Sequence, residues 1–281
     1  MSSSEYFKKV CIVTGAASGI GRAFCRELLQ SGAIVVGSDV QEDALRTLQS
    51  DLNNENFTTK VCNVTSEREV KELIDATVEQ HGRLDIMFNN AGIGVIGEIA
   101  EYTVADWKKT MDVNFNGVVF GCHYAYQQMR KQGYGQIVNT SSMAGLMAFP
   151  WMGAYTASKF AVSGLTRVLA SEAKKYGVTA TLVCPGVIKT PILHGGVHGK
   201  LHGYQAGAME KFADQLKGIT PEEFARKALI GVAQKRLVVI EPFKFKMIWW
   251  AFKFLPFGLA DRLMVKEQKK NRALVKSFQA R

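Results

Sequence analysis

The sequence predicts an α/β fold, a doubly wound Rossmann sheet of seven parallel strands with helices on both faces. Three observations lead there. Short β-branched runs alternate with helically spaced stretches, glycines cluster between the first strand and the first helix, and an acid closes the second strand. The strands are read at 10–13, 34–38, 59–62, 84–88, 136–139, 179–183 and 237–240. Between them, helical spacing predicts helices at 19–31, 41–52, 66–80, 105–131, 153–176 and 221–234. Strand and helix in strict alternation imply right-handed crossovers and a parallel sheet covered on both faces. In such sheets ligands bind beyond the carboxyl ends of the strands, so residues just after each strand are where chemistry is expected.

Composition narrows the organisation. At 281 residues, 47% apolar and 21% charged, the chain can bury a full core, which excludes a disordered or fibrous protein. One domain is expected over residues 1–241, carrying a glycine-rich substrate lid at 191–217 and followed by a basic, amphipathic extension at 242–281. The net charge of +10 is not evenly spread. Twelve Lys or Arg face three acids from Lys235 onward, while residues 1–234 are almost neutral, which argues against a nucleic-acid partner. Five scattered cysteines without a C-x-x-C pair suggest neither a disulfide framework nor a zinc site. A reducing, cytoplasmic setting is expected, since residues 1–9 lack the features of a signal peptide.

The motifs supply the chemistry. In Thr14-Gly15-Ala16-Ala17-Ser18-Gly19-Ile20-Gly21, Gly15 permits a tight turn, Gly19 lets backbone approach a pyrophosphate, and Gly21 allows close helix packing. Asp39 lies 18 residues beyond Gly21, where a carboxylate meets the ribose hydroxyls of NAD and repels the 2′-phosphate of NADP. Ser18 and Val40 offer no base to that phosphate. A helix cap is the competing role for Asp39. Tyr155 and Lys159, at i and i+4, share a helix face, where an ammonium would lower the phenol's pKa and fit Tyr155 for general acid–base work.

With Asn89-Asn90-Ala91-Gly92, Asn114, Ser142 and Pro185-Gly186 in order between and around these motifs, the chain resembles the short-chain dehydrogenase/reductase family over residues 5–241. The resemblance implies that Tyr155 exchanges the substrate oxygen's proton and Ser142 steadies that oxygen. Lys159 would hold the nicotinamide ribose, and Asn114 a relay water. It also implies a cofactor site of Gly15, Ser18, Gly19, Ile20, Gly21, Asp39, Asn63, Val64, Asn90, Ala91, Gly92, Tyr155, Lys159, Pro185, Gly186, Ile188 and Thr190. Asn63 departs from the family's usual aspartate, although its amide oxygen can still accept from adenine. The family's helix pairing implies a homodimer or homotetramer, with residues 105–131 and 153–176 at the two-fold axis. A non-catalytic scaffold or sensor of the same fold is the alternative function.

Positions expected near the substrate are Val95, Met143, Phe149, Met152, Val187 and Leu193, with Trp151 close by. They are apolar, and no base is in view to clamp an acid, so a lipophilic secondary alcohol or ketone of steroid, retinoid or fatty type is expected. His194, His198 and His202 recur every four residues, but glycines crowd the segment and no metal site is expected. In the extension, Met247 to Ala260 is rich in Trp and Phe, too short to cross about 30 Å of hydrocarbon and broken at Pro256. Two arrangements stand open for residues 247–281: peripheral contact with a membrane, or folding back over the pocket or onto a subunit.

Overall fold

The computed structural model describes residues 5–203 and 206–256, together with part of 258–277. Seven strands form one parallel sheet: β1 (Val10–Thr14), β2 (Ile34–Asp39), β3 (Phe57–Val61), β4 (Ile86–Asn89), and three more further along. A short β5 (Gly94–Ile96) follows, then β6 (Gly135–Thr140), β7 (Val178–Pro185), a short β8 (Gly199–Leu201) and β9 (Val238–Glu241). The large sheet has the order β3-β2-β1-β4-β6-β7-β9, so the direction of winding reverses between β1 and β4 and opens a crevice at their carboxyl ends. The register places Val13 against Gly37 on one side and Phe88 on the other.

The helices are α1 (Gly19–Gln30), α2 (Glu42–Leu52), α3 (Glu67–His81), α4 (Val104–Met111), α5 (Gly117–Gln132), α6 (Gly153–Ala173), α7 (Ala206–Gln215), α8 (Pro221–Ala233) and α9 (Phe243–Phe254). Each face of the sheet has its own core. Phe24 and Leu28 of α1 pack with Phe88 and with Phe224 of α8 on one side. Met87, Ile137 and Leu182 meet Val118 and Val162 on the other. Tyr6 donates its hydroxyl to the Leu229 carbonyl (2.6 Å), joining the start of the chain to α8. The helix starts are chemically marked: Ser66 and Thr220 accept from the third helical N–H, and Gly82 and Gly133 end α3 and α5 in the left-handed region.

The structure departs from the sequence reading at several elements. The helix expected over 105–131 is three pieces, α4, a π-helical turn Asp112–Asn116 and α5, with Asn114 buried at the widened turn. The stretch 153–176 ends as an α-helix at Ala173 and continues as a 3-10 turn. Within 191–217, β8 pairs in parallel with β5 and α7 follows, although Tyr204 and Gln205 lie outside the described residues. The three histidines do not share a helix, because Gly195, Gly196 and Gly199 break the segment into turns. Two of the histidines pair with single acids: His194 meets Glu210 (2.5 Å) and His202 meets Asp106 (3.2 Å). The five cysteines are all buried and unpaired by disulfides.

The extension also resolves in part. Along α9, Phe245, Trp249 and Phe252 pack inward against the core, while Phe243, Met247, Ile248, Trp250 and Phe254 are exposed. Folding back is therefore the arrangement of the inner face, and the outer face stays apolar. No described helix is long and apolar enough to cross a membrane. Phe257, Ala260 and the residues from 278 on lie outside the described residues. On α6, Phe160 and Val168 stand exposed.

Candidate active site

The ends of β1, β2, β4, β6 and β7 open into a cavity of about 880 Å³. Its floor is the turn after β1. Gly15 adopts φ +66°, and a side chain on Gly21 would sit 2.0 Å from the Gly15 carbonyl, so any larger residue would fill the cradle. Ser18 caps α1 without using its side chain, which leaves the helix N-terminus facing the cavity with free N–H groups and positive dipole. Asp39, nearly buried, accepts from the Ala17 and Gln41 N–H groups (both 3.1 Å). Its cap-like bond is thus to Gln41 while the carboxylate remains part of the cavity wall. These features fit a dinucleotide.

Thr14 is a residue that motif reading passed over. Its hydroxyl accepts from the backbone N–H groups of Asn90 (3.0 Å) and Ala91 (3.1 Å), tying the end of β1 to that of β4. Asn90 spends its side chain on the Thr14 carbonyl (3.0 Å) and the Thr140 hydroxyl (3.2 Å), knitting three strand ends. Asn63 turns its amide oxygen onto Thr65 N and Oγ1 (3.1 and 2.9 Å), although it still lines the cavity with Val64. Val187 O and Lys189 N bond Ile219, which turns Ile188's own N–H and carbonyl the other way. Thr190 precedes a 3-10 turn without capping it, so its hydroxyl is unspent by the turn.

Ser142, Tyr155, Lys159 and the Gly92 segment converge on the cavity. Lys159 is buried and donates to the Thr140 carbonyl (2.9 Å). Burial lowers its pKa to about 8. The phenol of Tyr155 moves the opposite way from the sequence expectation: burial pushes it up, and the nearby Ser142 hydroxyl pulls it back. The ammonium stands 5.6 Å from the Tyr155 ring centroid and points at Thr140, so in the free protein it does not offset that burial. Asn114 lies at 0% exposure, takes the Ile93 N–H (2.8 Å) and donates to the Ile93 carbonyl (2.9 Å) and Ser158 Oγ (3.1 Å). The π-helical turn is what lets it reach there.

Of the expected substrate residues, Met143, Phe149, Met152, Val187 and Leu193 line the cavity, as does Trp151. Val95 does not. Its neighbours Gly94 and Ile96 face the cavity, and strand alternation turns Val95 to the opposite side. The segment expected as a lid adds Met209, Phe212 and Leu216 to the wall. Two tail residues arrive unannounced: Phe245, whose ring occupies the space a side chain on Gly186 would need (2.1 Å), and Arg272. The expectation of no nearby base is corrected by Arg272.

A family model described as short chain dehydrogenase matches residues 9–199. The chain is 34% identical to 3beta-hydroxysteroid dehydrogenase 2 of Eggerthella lenta, over 78% of this chain and 86% of that protein. It is 35% identical to the cyclohexanol dehydrogenase of an Acinetobacter species, over 68% and 77% respectively. Among solved structures, a short chain dehydrogenase/reductase from Burkholderia phymatum in complex with NAD superposes with a TM-score of 0.77. Its identity to this chain is 31%, with 84% of this chain and 89% of that one covered.

Proposed function

The chain belongs to the short-chain dehydrogenase family, and from that premise we propose that it is an NAD-dependent oxidoreductase interconverting a lipophilic secondary alcohol and its ketone. The observation that carries this reading is the convergence of Ser142, Tyr155 and buried Lys159 at one apolar cavity whose floor fits a dinucleotide. The relatives named for a hydroxysteroid and for cyclohexanol support an apolar alcohol.

Bound NAD supplies the hydride acceptor, or in reduced form the donor. The glycine turn and the N-terminus of α1 hold its phosphates, Asp39 the adenosine ribose, and Lys159 the nicotinamide ribose, with Val64, Ile188 and Thr190 alongside. The Tyr155 hydroxyl takes the alcohol's proton during oxidation and returns it during reduction. Ser142 donates to the substrate oxygen and keeps it beside the phenol. Asn114 fixes the Ile93 peptide beside Gly92 and Lys159, and its amide oxygen retains a lone pair for a relay water. The walls made by Met143, Met152 and Leu193 exclude bulk water from the reacting carbon.

A panel of steroids, retinols and aliphatic secondary alcohols, screened by NAD reduction, tests the reading. Turnover should be measurable with apolar alcohols and fall with polyols; turnover confined to polyols, or absent throughout, would overturn it.

The extension supports a second part of the reading, peripheral contact with an anionic bilayer. The outer face of α9 presents Trp250, Phe254 and Met247 beside Lys246 and Lys253, and bases outnumber acids through the rest of the tail. Aromatic rings at headgroup level and about 1 kcal/mol per nearby base would suffice for reversible binding. Full-length protein should pellet with anionic vesicles at low salt and release at high salt. Failure to pellet at low salt would dismiss the contact.

A further inference from the structure

The cavity wall holds a cation that the oxidoreductase chemistry does not use. Arg272 comes 117 positions after Tyr155 in the chain and yet lines the same cavity. Its guanidinium stands over the Trp151 ring (5.8 Å to the centroid), and one Nη2 hydrogen bonds Glu98 Oε1 (2.6 Å). The shelf beneath it is rigid. Trp151 sits at φ +64°, a left-handed conformation held in place because its carbonyl accepts from both Gly97 N (2.8 Å) and the Tyr102 hydroxyl (3.0 Å). The Nε of Arg272, by contrast, is itself buried within a side chain that is 41% exposed, and it has no hydrogen-bond partner among the described residues.

That orphan donor points to a ligand. Nε–H and one Nη2–H lie on the same edge of a guanidinium, the edge that meets a carboxylate in a fork. Glu98 occupies only the Nη2 end. The other cations at this wall are differently placed: Lys108 is held by Asp112 (2.5 Å), Lys159 by the Thr140 carbonyl, and Lys109 is exposed on α4. Between Tyr155 and Arg272 the wall is apolar, built from Met152, Trp151, Leu193 and Met209. An apolar body therefore has room to lie with its hydroxyl at Tyr155 and a charged end at the guanidinium.

Resting on the oxidoreductase reading above, we propose that Arg272 recognises a carboxylate at the far end of the substrate, so that the preferred substrate is a hydroxy acid with an apolar body. Glu98 neutralises Arg272 in the free protein and competes with the incoming acid. The tail thus contributes a specificity-determining residue to a site built, Phe245 apart, by residues 15–216.

The test uses the full-length protein with NAD and two matched pairs. One is a saturated fatty acid with its hydroxyl on the penultimate carbon, beside its methyl ester; the other is a monohydroxy bile acid beside its methyl ester. Binding by calorimetry and kcat/KM by NAD reduction should both favour the acid over its ester by at least about tenfold, the scale of one charge-assisted fork. Arg272→Gln should bring the acid down by about tenfold toward the level of the ester, with a far smaller change for the ester. Glu98→Gln leaves the residue-98 backbone carbonyl that accepts from the Glu101 N–H untouched and removes the competing charge, so it should strengthen acid binding. A purely structural strap predicts otherwise, with both variants weakening acid and ester alike. Equal binding of acid and ester by the unmodified protein, or a preference that survives Arg272→Gln, overturns the proposal. A calorimetric preference for the acid without NAD reduction by any compound would sink the oxidoreductase reading and leave this subsite standing.

Discussion

Replacing Tyr155 with phenylalanine should lower turnover by about 10² or more, the scale of general acid–base catalysis, while NAD binding stays within about twofold. The ring fills the same space without the hydroxyl, and Lys159 keeps its bond to the Thr140 carbonyl, so the cofactor floor is untouched. The pH dependence gives a second readout. Burial raises the Tyr155 pKa, so the phenol is neutral at ordinary pH and the base needed for alcohol oxidation becomes more abundant as pH rises. Oxidation by the unmodified protein should therefore accelerate with pH, and ketone reduction, which needs the neutral phenol as acid, should slow. The variant should lose both dependences. Steady-state rates across pH, with NAD affinity by fluorescence quenching, decide it: near-normal kcat for the variant would remove Tyr155 from the proton path.

The unmodified protein should use NAD over NADP by at least about tenfold in kcat/KM, on the order of 1.4 kcal/mol. Asp39 is pinned by two backbone N–H groups, so its carboxylate cannot swing away from an incoming 2′-phosphate, and neither Ser18 nor exposed Val40 can neutralise that phosphate. Asp39→Ala should narrow the gap chiefly by raising KM for NAD, since the Ala17 and Gln41 N–H groups lose their acceptor and the turn loosens. Equal use of the two cofactors by the unmodified protein would refute the assignment.

Much of this was legible in the chain because the informative residues are close in sequence. The glycine turn, the acid at the end of β2 and the Tyr155–Lys159 spacing are local patterns, and local patterns map directly onto a strand end or a helix face. Three features escaped for different physical reasons. The π-helical turn at Asp112–Asn116 has helical spacing on both sides, so periodicity reads straight through it. Val95 sits in a three-residue strand, where no run is long enough to fix which side faces in, and the reading took the wrong one. Arg272 is joined to the cavity only by the path of the tail, which no spacing records. The direction of the Tyr155 shift also needed coordinates, because the ammonium shares a helix face with the ring and yet points elsewhere.

The bond from Tyr6 to Leu229 bears on how the chain is made. The helix that packs on α1, and β9 at the edge of the sheet, leave a ribosome long after their partners in the first core cluster. Until α8 emerges, Phe24 and Leu28 have the sheet on one side but lack Phe224 on the other, and a nascent chain carries that apolar side uncovered. Contacts this distant in sequence make folding a collective event, and they place the nascent protein's need for shelter at the face of α1 that awaits α8.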